Sequence, residues 1–297
     1  MTHTFAIYGK RISEEAMPYV VRILNYLQEK GVATHLYKGF QERANTHYQT
    51  DWNYPVFKTS EELHALAPDL LLSLGGDGTI LDASTLVGRS GIPIMGINTG
   101  RLGFLANLTK VEGLDALEAV LRGDYTIEER NLIQAQSKND NVLLDPNFAL
   151  NEVAVSRKGT TSMISVHVHL DGQFLNTYWA DGLIVATPTG STGYNLSCGG
   201  PILIPGSDNF IITPIAPHNL TVRPIVIPNS AEISLRIEAR REDMYLASLD
   251  SRLYSLDTET ELVLRRADFR LRLVRTYGQD FATTLRNKLL WGLDVRN

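Results

Sequence analysis

Apolar residues in the first part of the chain follow two spacings, one typical of strands and one typical of helices. Between Glu14 and Lys30 they recur every three or four residues, and Gly31 follows as a helix stop. The pattern predicts strands at 5–8, 32–37, 70–74 and 92–97, and helices at 14–30, 60–68, 79–87 and 113–122. Because strands alternate with helices, we expect an open, mostly parallel sheet up to about residue 125.

Two segments of the first part, at 40–58 and from Ser60 onward, differ in how clearly the sequence predicts their structure. Residues 40–58 show no clear period and are predicted to form a loop or an irregular insertion. Ser60 begins a capping pattern with Glu61, Glu62 and Leu63, so the helix at 60–68 is predicted to start there.

Beyond residue 125 the spacing changes to the alternation of half-buried strands. Asp171-Gly172 indicates a hairpin turn between strands at 163–170 and 173–179. Further strands are predicted at 231–237, 245–248, 252–256 and 262–274, followed by a helix at 281–291. The second part is therefore predicted to be all-β and antiparallel, and the last helix to pack back on the first domain. The predicted domains are 1–125 with 278–297 (α/β, binding nucleotide and phosphate) and 126–277 (β-rich).

Composition restricts the class of protein. The 297 residues suffice for two domains with sizeable cores, and 43% apolar and 21% charged residues are ordinary for globular proteins. A formal charge of −5 disfavours partners such as nucleic acid or anionic membranes. No apolar run approaches the ~20 residues that span a bilayer. With Cys198 as the single cysteine, we predict a cytoplasmic protein without membrane or nucleic-acid partners.

The sequence Gly75-Gly76-Asp77-Gly78-Thr79 follows a predicted strand and precedes a predicted helix. Glycines let a ligand approach the backbone closely, and a helix that begins there directs free amides toward an anion. Asp77 is suited to bind a hydroxyl or a metal. The alternative is that Asp77 caps the helix and the glycines only form the turn.

A second segment, from Asp181 to Tyr194, runs from an acidic turn through an apolar strand into a loop rich in Thr, Ser and Gly. Hydroxyls and amides of that loop are suited to sugar hydroxyls or phosphates, and Tyr194 offers a ring face for a base. The alternative is a long structural connection ending at Gly199-Gly200-Pro201.

Two shorter motifs complete the candidate chemistry. Asn151-Glu152 places an amide beside a carboxylate, which can bind a ribose diol, although such a dipeptide also suits a surface turn. The segment 98–104 follows the strand at 92–97, where ligands bind in open α/β sheets. Phe104 at its end is suited to stack on a base or to join the core.

Taken together, these motifs resemble the NAD kinase family, over about residues 70 to 228. The resemblance implies transfer of the terminal phosphoryl group of ATP, with a divalent metal such as Mg²⁺, to the 2′-hydroxyl of the adenosine ribose of NAD. The second domain would then bind NAD. The resemblance also implies a homo-oligomer, a dimer or a tetramer.

The resemblance assigns roles to residues that match the family's motifs. Asp77 matches the catalytic base, and the phosphates are expected at Gly75, Gly76 and Gly78. Contacts with the dinucleotide are expected from Gly78, Phe104, Asn151, Glu152, Trp179, Asp181, Thr192, Gly193, Tyr194, Asn195, Leu196, Ser197 and Ala216. Within that set, Phe104 matches an aromatic residue beside the adenine, Asn151-Glu152 the adenosine side and Asp181 the nicotinamide half.

Four positions depart from the family's pattern. Asp82 and Trp179 stand where the family often has a basic residue, Ser162 replaces a basic or histidine position, and Gly193 replaces a more common alanine. These changes leave the phosphoryl donor and the discrimination between NAD and NADH open. Two alternative functions also remain at this point: a lipid or sphingoid kinase that shares Gly-Gly-Asp-Gly, and a non-catalytic NAD(P) sensor.

Overall fold

The computed structural model of the chain describes residues 3–100, 102–138, 142, 144–159, 162–239, 243–276, 278 and 280–290. The helices are α1 (Met17–Glu29), α2 (Lys38–Tyr48), α3 (Ser60–Leu66), α4 (Asp77–Val87), α5 (Gly113–Arg122), α6 (Tyr194–Ser197) and α7 (Phe281–Leu289). The strands are β1 (Thr4–Gly9), β2 (Ala33–Tyr37), β3 (Val56–Phe57), β4 (Leu70–Leu74), β5 (Ile94–Ile97), β6 (Thr126–Ser137), β7 (Phe148–Ala149), β8 (Glu152–Arg157), β9 (Ile164–Leu170), β10 (Gln173–Ala180), β11 (Gly182–Ala186), β12 (Asn209–Ile215), β13 (Ile225–Pro228), β14 (Ile233–Ala239), β15 (Met244–Leu249), β16 (Arg252–Asp257) and β17 (Leu262–Arg275).

The described chain forms two compact units, one made of Met1–Glu129 with Leu271–Asn297 and the other of Arg130–Arg270. In the first unit the strands lie in the order β3-β2-β1-β4-β5, and every pairing among them is parallel. The end of β17 joins this sheet beside β5, with Leu273 opposite Ile94. The prediction of an α/β domain with a mostly parallel sheet is confirmed.

Helix packing explains why the periodic segments were predicted well. On α1 the residues at helical spacing, including Val20, Leu24 and Leu27, are buried in the same apolar cluster as Leu72 of β4. All five residues of β4 are buried, as expected for a strand covered on both faces. The apolar spacing of α1 and the apolar run of β4 therefore correspond to the surfaces that each element buries.

The prediction for residues 40–58 was wrong, because α2 and β3 lie there. Only Phe40 and Ala44 of α2 are buried, so the helix carries too narrow an apolar stripe to give a period. The capping position was also wrong by one residue. Thr59, not Ser60, caps α3, and its side chain accepts a hydrogen bond from the Glu62 amide.

The second unit is built from two antiparallel sheets. One contains β10-β9-β14 and the first part of β17, and the other has the order β13-β12-β11-β8-β15-β16. The apolar core includes alternate residues of both, such as Val166 and Val168 of β9, and Val153 and Val155 of β8. The prediction of an antiparallel all-β second domain is confirmed.

Two local predictions can be compared with the structure directly. Asp171 and Gly172, with φ of 49° and 78°, form the turn that joins β9 to β10, as predicted. Helix α7 belongs to the first unit and contacts it through Phe281 and Lys288. Residue 291, where the predicted helix ended, lies outside the described residues. Among the helices that the structure describes, none has the length and apolar character needed to cross a membrane.

Candidate active site

The glycine-rich turn lies where the chain order in the parallel sheet reverses. Strands β1 and β4 are neighbours with Gly9 opposite Leu74, although β2 and β3 continue the sheet on one side and β5 on the other. In open α/β sheets, ligands bind outside the carboxyl ends of strands at such a reversal. Gly75 to Gly78 follow Leu74 directly and therefore occupy that position.

The backbone of this turn leaves space beside the start of α4. Gly75 has φ of +153°, and a Cβ there would collide with the side chain of Thr79. Gly76 is the N-cap of α4 and, like Gly78, is exposed with no atom within 4 Å of where a Cβ would stand. Helix α4 has no side-chain cap, so its first turn presents backbone amides to this space.

Asp77 is held by three consecutive backbone amides, a set that we call the Asp77 cluster. The Phe104 amide donates to Oδ2 at 2.8 Å, and the amides of Leu105 and Ala106 donate to Oδ1 at 3.0 and 2.9 Å. Gly103 permits this approach, because a Cβ on it would collide with the carboxylate. The Asp77 side chain therefore binds a distant loop and does not cap its own helix.

Phe104 packs against α7 in the described structure. Its ring lies 6.3 Å from that of Phe281 between centroids, and the Lys288 ammonium lies 5.2 Å from the Phe104 centroid. Lys288 also donates to the Leu102 carbonyl at 2.7 Å. The last helix thus fixes the loop that carries Phe104.

A lysine compensates for the acidic residue at position 82. Lys10 follows β1 at the same sheet edge and forms an ion pair with Asp82, with 2.5 Å between Nζ and Oδ2. Burial and then the Asp82 charge raise the pKa of Tyr8, which lies on β1 two residues before Lys10. Sequence reasoning noted the missing cation at Asp82 but missed Lys10, whose position depends on the pairing of β1 with β4.

In the second unit, the structure brings Asn151-Glu152 together with the loop that follows β11. The Thr187 amide donates to the Asn151 carbonyl at 2.8 Å, and a Cβ on Gly190 would collide with that same carbonyl. A Cβ on Gly193 would stand 3.1 Å from Oε2 of Glu152. The predicted loop is partly helical, with a 3₁₀ turn at Thr189–Thr192 followed by α6.

Asp250 forms an arrangement equivalent to that of Asp77, which we call the Asp250 cluster. Its Oδ2 accepts the Leu150 amide at 2.8 Å, and its Oδ1 accepts the amides of Asn151 and Glu152 at 2.7 and 3.2 Å. Asp250 lies in the turn between β15 and β16 with φ of 51°. The sequence pattern places position 250 only between the strands predicted at 245–248 and 252–256.

Glu152 has an unusual electrostatic environment. Burial and then the nearby Asp250 carboxylate together raise the pKa of its carboxyl to about 8, against the opposing effect of a hydrogen bond from the Tyr194 backbone. Its Oε2 is buried without a hydrogen-bond partner among the described residues. Burial likewise raises the pKa of Asp250, against the effect of its three amide bonds and Arg252.

Asn195 holds the loop internally. It is fully buried, its amide nitrogen donates to the carbonyls of Ser191 and Pro201 at 2.9 and 3.0 Å, and its oxygen accepts the Thr213 hydroxyl at 2.6 Å. A Cβ on Gly200 would collide with this side chain. Its described bonds are therefore all internal. Around it, Thr192, Gly193 and Leu196 are half-buried, and Tyr194 and Ser197 are exposed.

The remaining predicted residues of this unit lie near Asp181. Asp181 forms an ion pair with Arg157 at 3.0 Å, and its amide donates to the Ile215 carbonyl, next to Ala216. Ala216 has φ of 45°, a strained value for a residue with a Cβ. Trp179, half of whose surface is exposed, accepts the His218 amide through its carbonyl.

The fit of a divalent metal depends on which donor groups the described residues bring together. No group of three or more His, Cys, Asp or Glu side chains with suitable geometry occurs within the described ranges. Mg²⁺ in phosphoryl-transfer sites is bound mainly by phosphate oxygens and water, with one or two carboxylates.

An α/β unit with Gly-Gly-Asp-Gly at its switch point, together with a β-rich unit, defines a nucleotide-binding protein of the Gly-Gly-Asp-Gly kinase type. Residues 5–125 match the model for the ATP-NAD kinase N-terminal domain and residues 150–276 that for the ATP-NAD kinase C-terminal domain. The chain belongs to the NAD kinase family.

Individual relatives and solved structures agree with this family assignment. The chain is 45% identical over 295 residues to the NAD kinase of Cytophaga hutchinsonii, covering 99% of both chains. It is 47% identical over 294 residues to that of Flavobacterium johnsoniae, covering 98% of this chain and 99% of the relative. An NAD kinase from Archaeoglobus fulgidus in complex with ATP aligns with a TM-score of 0.74 at 28% identity, covering 96% and 97%. Yeast NADH kinase complexed with NADH aligns with a TM-score of 0.87 at 23% identity, covering 99% and 89%, and shows a shared fold.

Proposed function

We propose that this protein transfers the terminal phosphoryl group of ATP to the 2′-hydroxyl of the adenosine ribose of NAD and so forms NADP. The observation that carries the proposal is the Asp77 cluster at the switch point of the sheet, in a chain of the NAD kinase family. Family membership disfavours the lipid-kinase alternative.

Asp77 is proposed to orient the 2′-hydroxyl and accept its proton. A carboxylate offers about four lone-pair positions, of which the three amides use two on Oδ1 and one on Oδ2. Oδ2 therefore retains one position for a substrate hydroxyl. Because phosphoryl transfer has a loose transition state, the hydroxyl loses its proton late, and orientation is the main contribution.

The donor phosphates are proposed to bind beside the first turn of α4. Support comes from the open space at the Cβ positions of Gly76 and Gly78 and from the start of α4, which no side chain caps. Lys10 supplies positive charge at the same sheet edge, where Asp82 holds it. Mg²⁺ bound to ATP is proposed to neutralise charge on the transferred group.

The second unit is proposed to bind NAD. Asn151 and Glu152 would bind the adenosine ribose, Tyr194 would pack on the dinucleotide, and Asp181 would contact the nicotinamide half. Support comes from the contacts among Asn151, Glu152 and the loop around Gly193. Trp179, Thr192, Leu196, Ser197 and Ala216 stay predictions as contacts, whereas Asn195 is proposed to position the loop.

Two properties of the whole protein are also proposed. We infer a homo-oligomer, a dimer or a tetramer, from the resemblance to the family, and light scattering on the purified protein tests it. We infer a cytoplasmic location from the single cysteine in 297 residues.

The direct test is to incubate the purified protein with NAD, ATP and Mg²⁺ and to assay NADP with an NADP-specific dehydrogenase. We expect NADP to accumulate, and to be absent without ATP or with excess chelator. Parallel reactions with NADH and with inorganic polyphosphate define the acceptor and donor ranges. Binding of NAD without NADP formation from any donor would contradict the kinase and favour the non-catalytic sensor.

A further inference from the structure

The backbone of Leu150, Asn151 and Glu152 is bonded completely, from two directions. On one side, Asp250 accepts all three amides and returns its own amide to the Glu152 carbonyl at 3.0 Å. On the other, Thr187 donates its hydroxyl to the Leu150 carbonyl at 2.6 Å and its amide to the Asn151 carbonyl at 2.8 Å. The Asn151 and Glu152 side chains are therefore attached to a backbone segment that hydrogen bonds hold in place on both sides.

Asp250 is also a costly residue to place there. It adopts φ of 51°, a region that non-glycine residues rarely occupy, and its carboxylate lies close to a second carboxyl group. The hairpin turn itself accounts for the positive φ, because Asp171 in the β9–β10 hairpin has φ of 49° as well. It does not account for a carboxylate placed beside a second carboxyl group, because the Asp171 side chain is exposed. Placing Asp250 beside Glu152 costs free energy that a turn alone would not require, which indicates a function beyond the turn.

We propose that Asp250 is a positioning residue for NAD, which fixes the Asn151-Glu152 backbone and holds the buried Glu152 carboxyl ready to bond the adenosine ribose. The inference rests on the proposed NAD kinase activity. Asp250 acts through Asn151 and Glu152, so its loss affects NAD binding more than the chemical step.

The charged groups around Glu152 also predict how NAD binding depends on pH, which is a second property that tests the proposal. Asp250 and Arg252 approach from the β15–β16 hairpin, Tyr194 from α6 and Cys198 from the position directly after α6. The neighbouring strand β11 contributes the uncharged Ala186. The pKa of about 8 makes the free Glu152 carboxyl largely protonated at neutral pH, so that it can donate to a ribose oxygen. Ionisation above pH 8 would place a second negative charge beside Asp250, and NAD binding should weaken.

The experiment compares Asp250→Asn with wild type in steady-state kinetics over pH 6.5 to 9.5. Asparagine keeps the oxygen that accepts two amides but loses the third bond and the charge. We expect the KM for NAD to rise about tenfold, the KM for ATP to change less than about twofold, and kcat to fall less than about threefold. The midpoint of the NAD KM profile, near pH 8 in wild type, should move to lower pH.

Asp171→Asn is the matched control, because Asp171 also accepts a backbone amide, from Glu232 at 2.9 Å, in a hairpin turn. A folded Asp250→Asn protein with an unchanged NAD KM, or with an unmoved midpoint, would overturn the inference. If that variant does not fold, calorimetric titration of wild type with NAD decides, since affinity that does not fall above pH 8 would overturn it. Wild type that forms no NADP would contradict the proposed function instead, and the same titrations would still test Asp250.

Discussion

The Asp77 and Asp250 clusters use the same bonds in different settings. Each aspartate accepts three consecutive backbone amides of a segment distant in sequence. Asp77 begins a helix between glycines that leave space for a ligand. Asp250 instead binds the backbone of the residues that are proposed to contact NAD. Each carboxylate keeps one unused lone-pair position on Oδ2, so a carboxylate held by amides becomes a candidate for catalysis only where open space adjoins it, as it does beside Gly76 and Gly78.

The largest expected effect comes from Asp77→Asn. The variant removes the proposed proton acceptor and one of the three amide bonds, so kcat should fall about 100-fold or more. Steady-state NADP formation at saturating NAD and ATP measures it. Asp69→Asn is the control, since Asp69 accepts the Thr4 amide at 2.9 Å at the opposite end of β4. Near-normal turnover of Asp77→Asn would show that the assigned role is wrong.

A smaller effect is expected from Gly103→Ala, which leaves Asp77 itself intact. The added Cβ would collide with the Asp77 carboxylate and displace it, so kcat should fall about tenfold. Gly100→Ala in the same loop is the control, because its Cβ would meet only the Asn98 side chain at 3.9 Å. Equal activities of the two variants would mean that the position of Asp77 matters little.

The Lys10→Met variant distinguishes an effect on binding of the phosphoryl donor, ATP, from an effect on binding of the acceptor, NAD. If Lys10 supplies charge for the ATP phosphates, the KM for ATP should rise about fivefold while the KM for NAD is unchanged. Lys38→Met, which removes a half-buried lysine paired with Glu42 on α2, is the control. An effect on NAD alone, or none, would remove Lys10 from the phosphate site.

The smallest effect is expected from Glu152→Gln, and it is an effect on the free energy of unfolding. Because the folded-state pKa of about 8 exceeds the ordinary 4.5, the folded protein binds more protons between those values, and its stability falls as pH rises from about 4.5 to 8. Glutamine cannot ionise, so the variant should be more stable than wild type at pH 8, by at most a few kcal/mol, and equal to it at pH 4.5. Thermal melts test this, with the exposed Glu259→Gln as control. The same difference at both pH values would contradict the assignment.

These comparisons also show what the sequence could predict. Helices such as α1 and strands such as β4 have patterns set by burial, and the Gly-Gly-Asp-Gly turn follows directly from its neighbours in sequence. Asp250 could not be found in that way, because the amides it binds lie 98 to 100 residues earlier, where the chain enters β8. Lys10 likewise meets Asp82 only through the pairing of β1 with β4.

The most direct test of the difference between the two aspartates is a calorimetric titration of NAD into Asp77→Asn and Asp250→Asn. We expect Asp77→Asn to bind NAD within about threefold of wild type, and Asp250→Asn to bind about tenfold more weakly or worse. NAD binding lost in Asp77→Asn and kept in Asp250→Asn would contradict the division into a catalytic and a positioning aspartate.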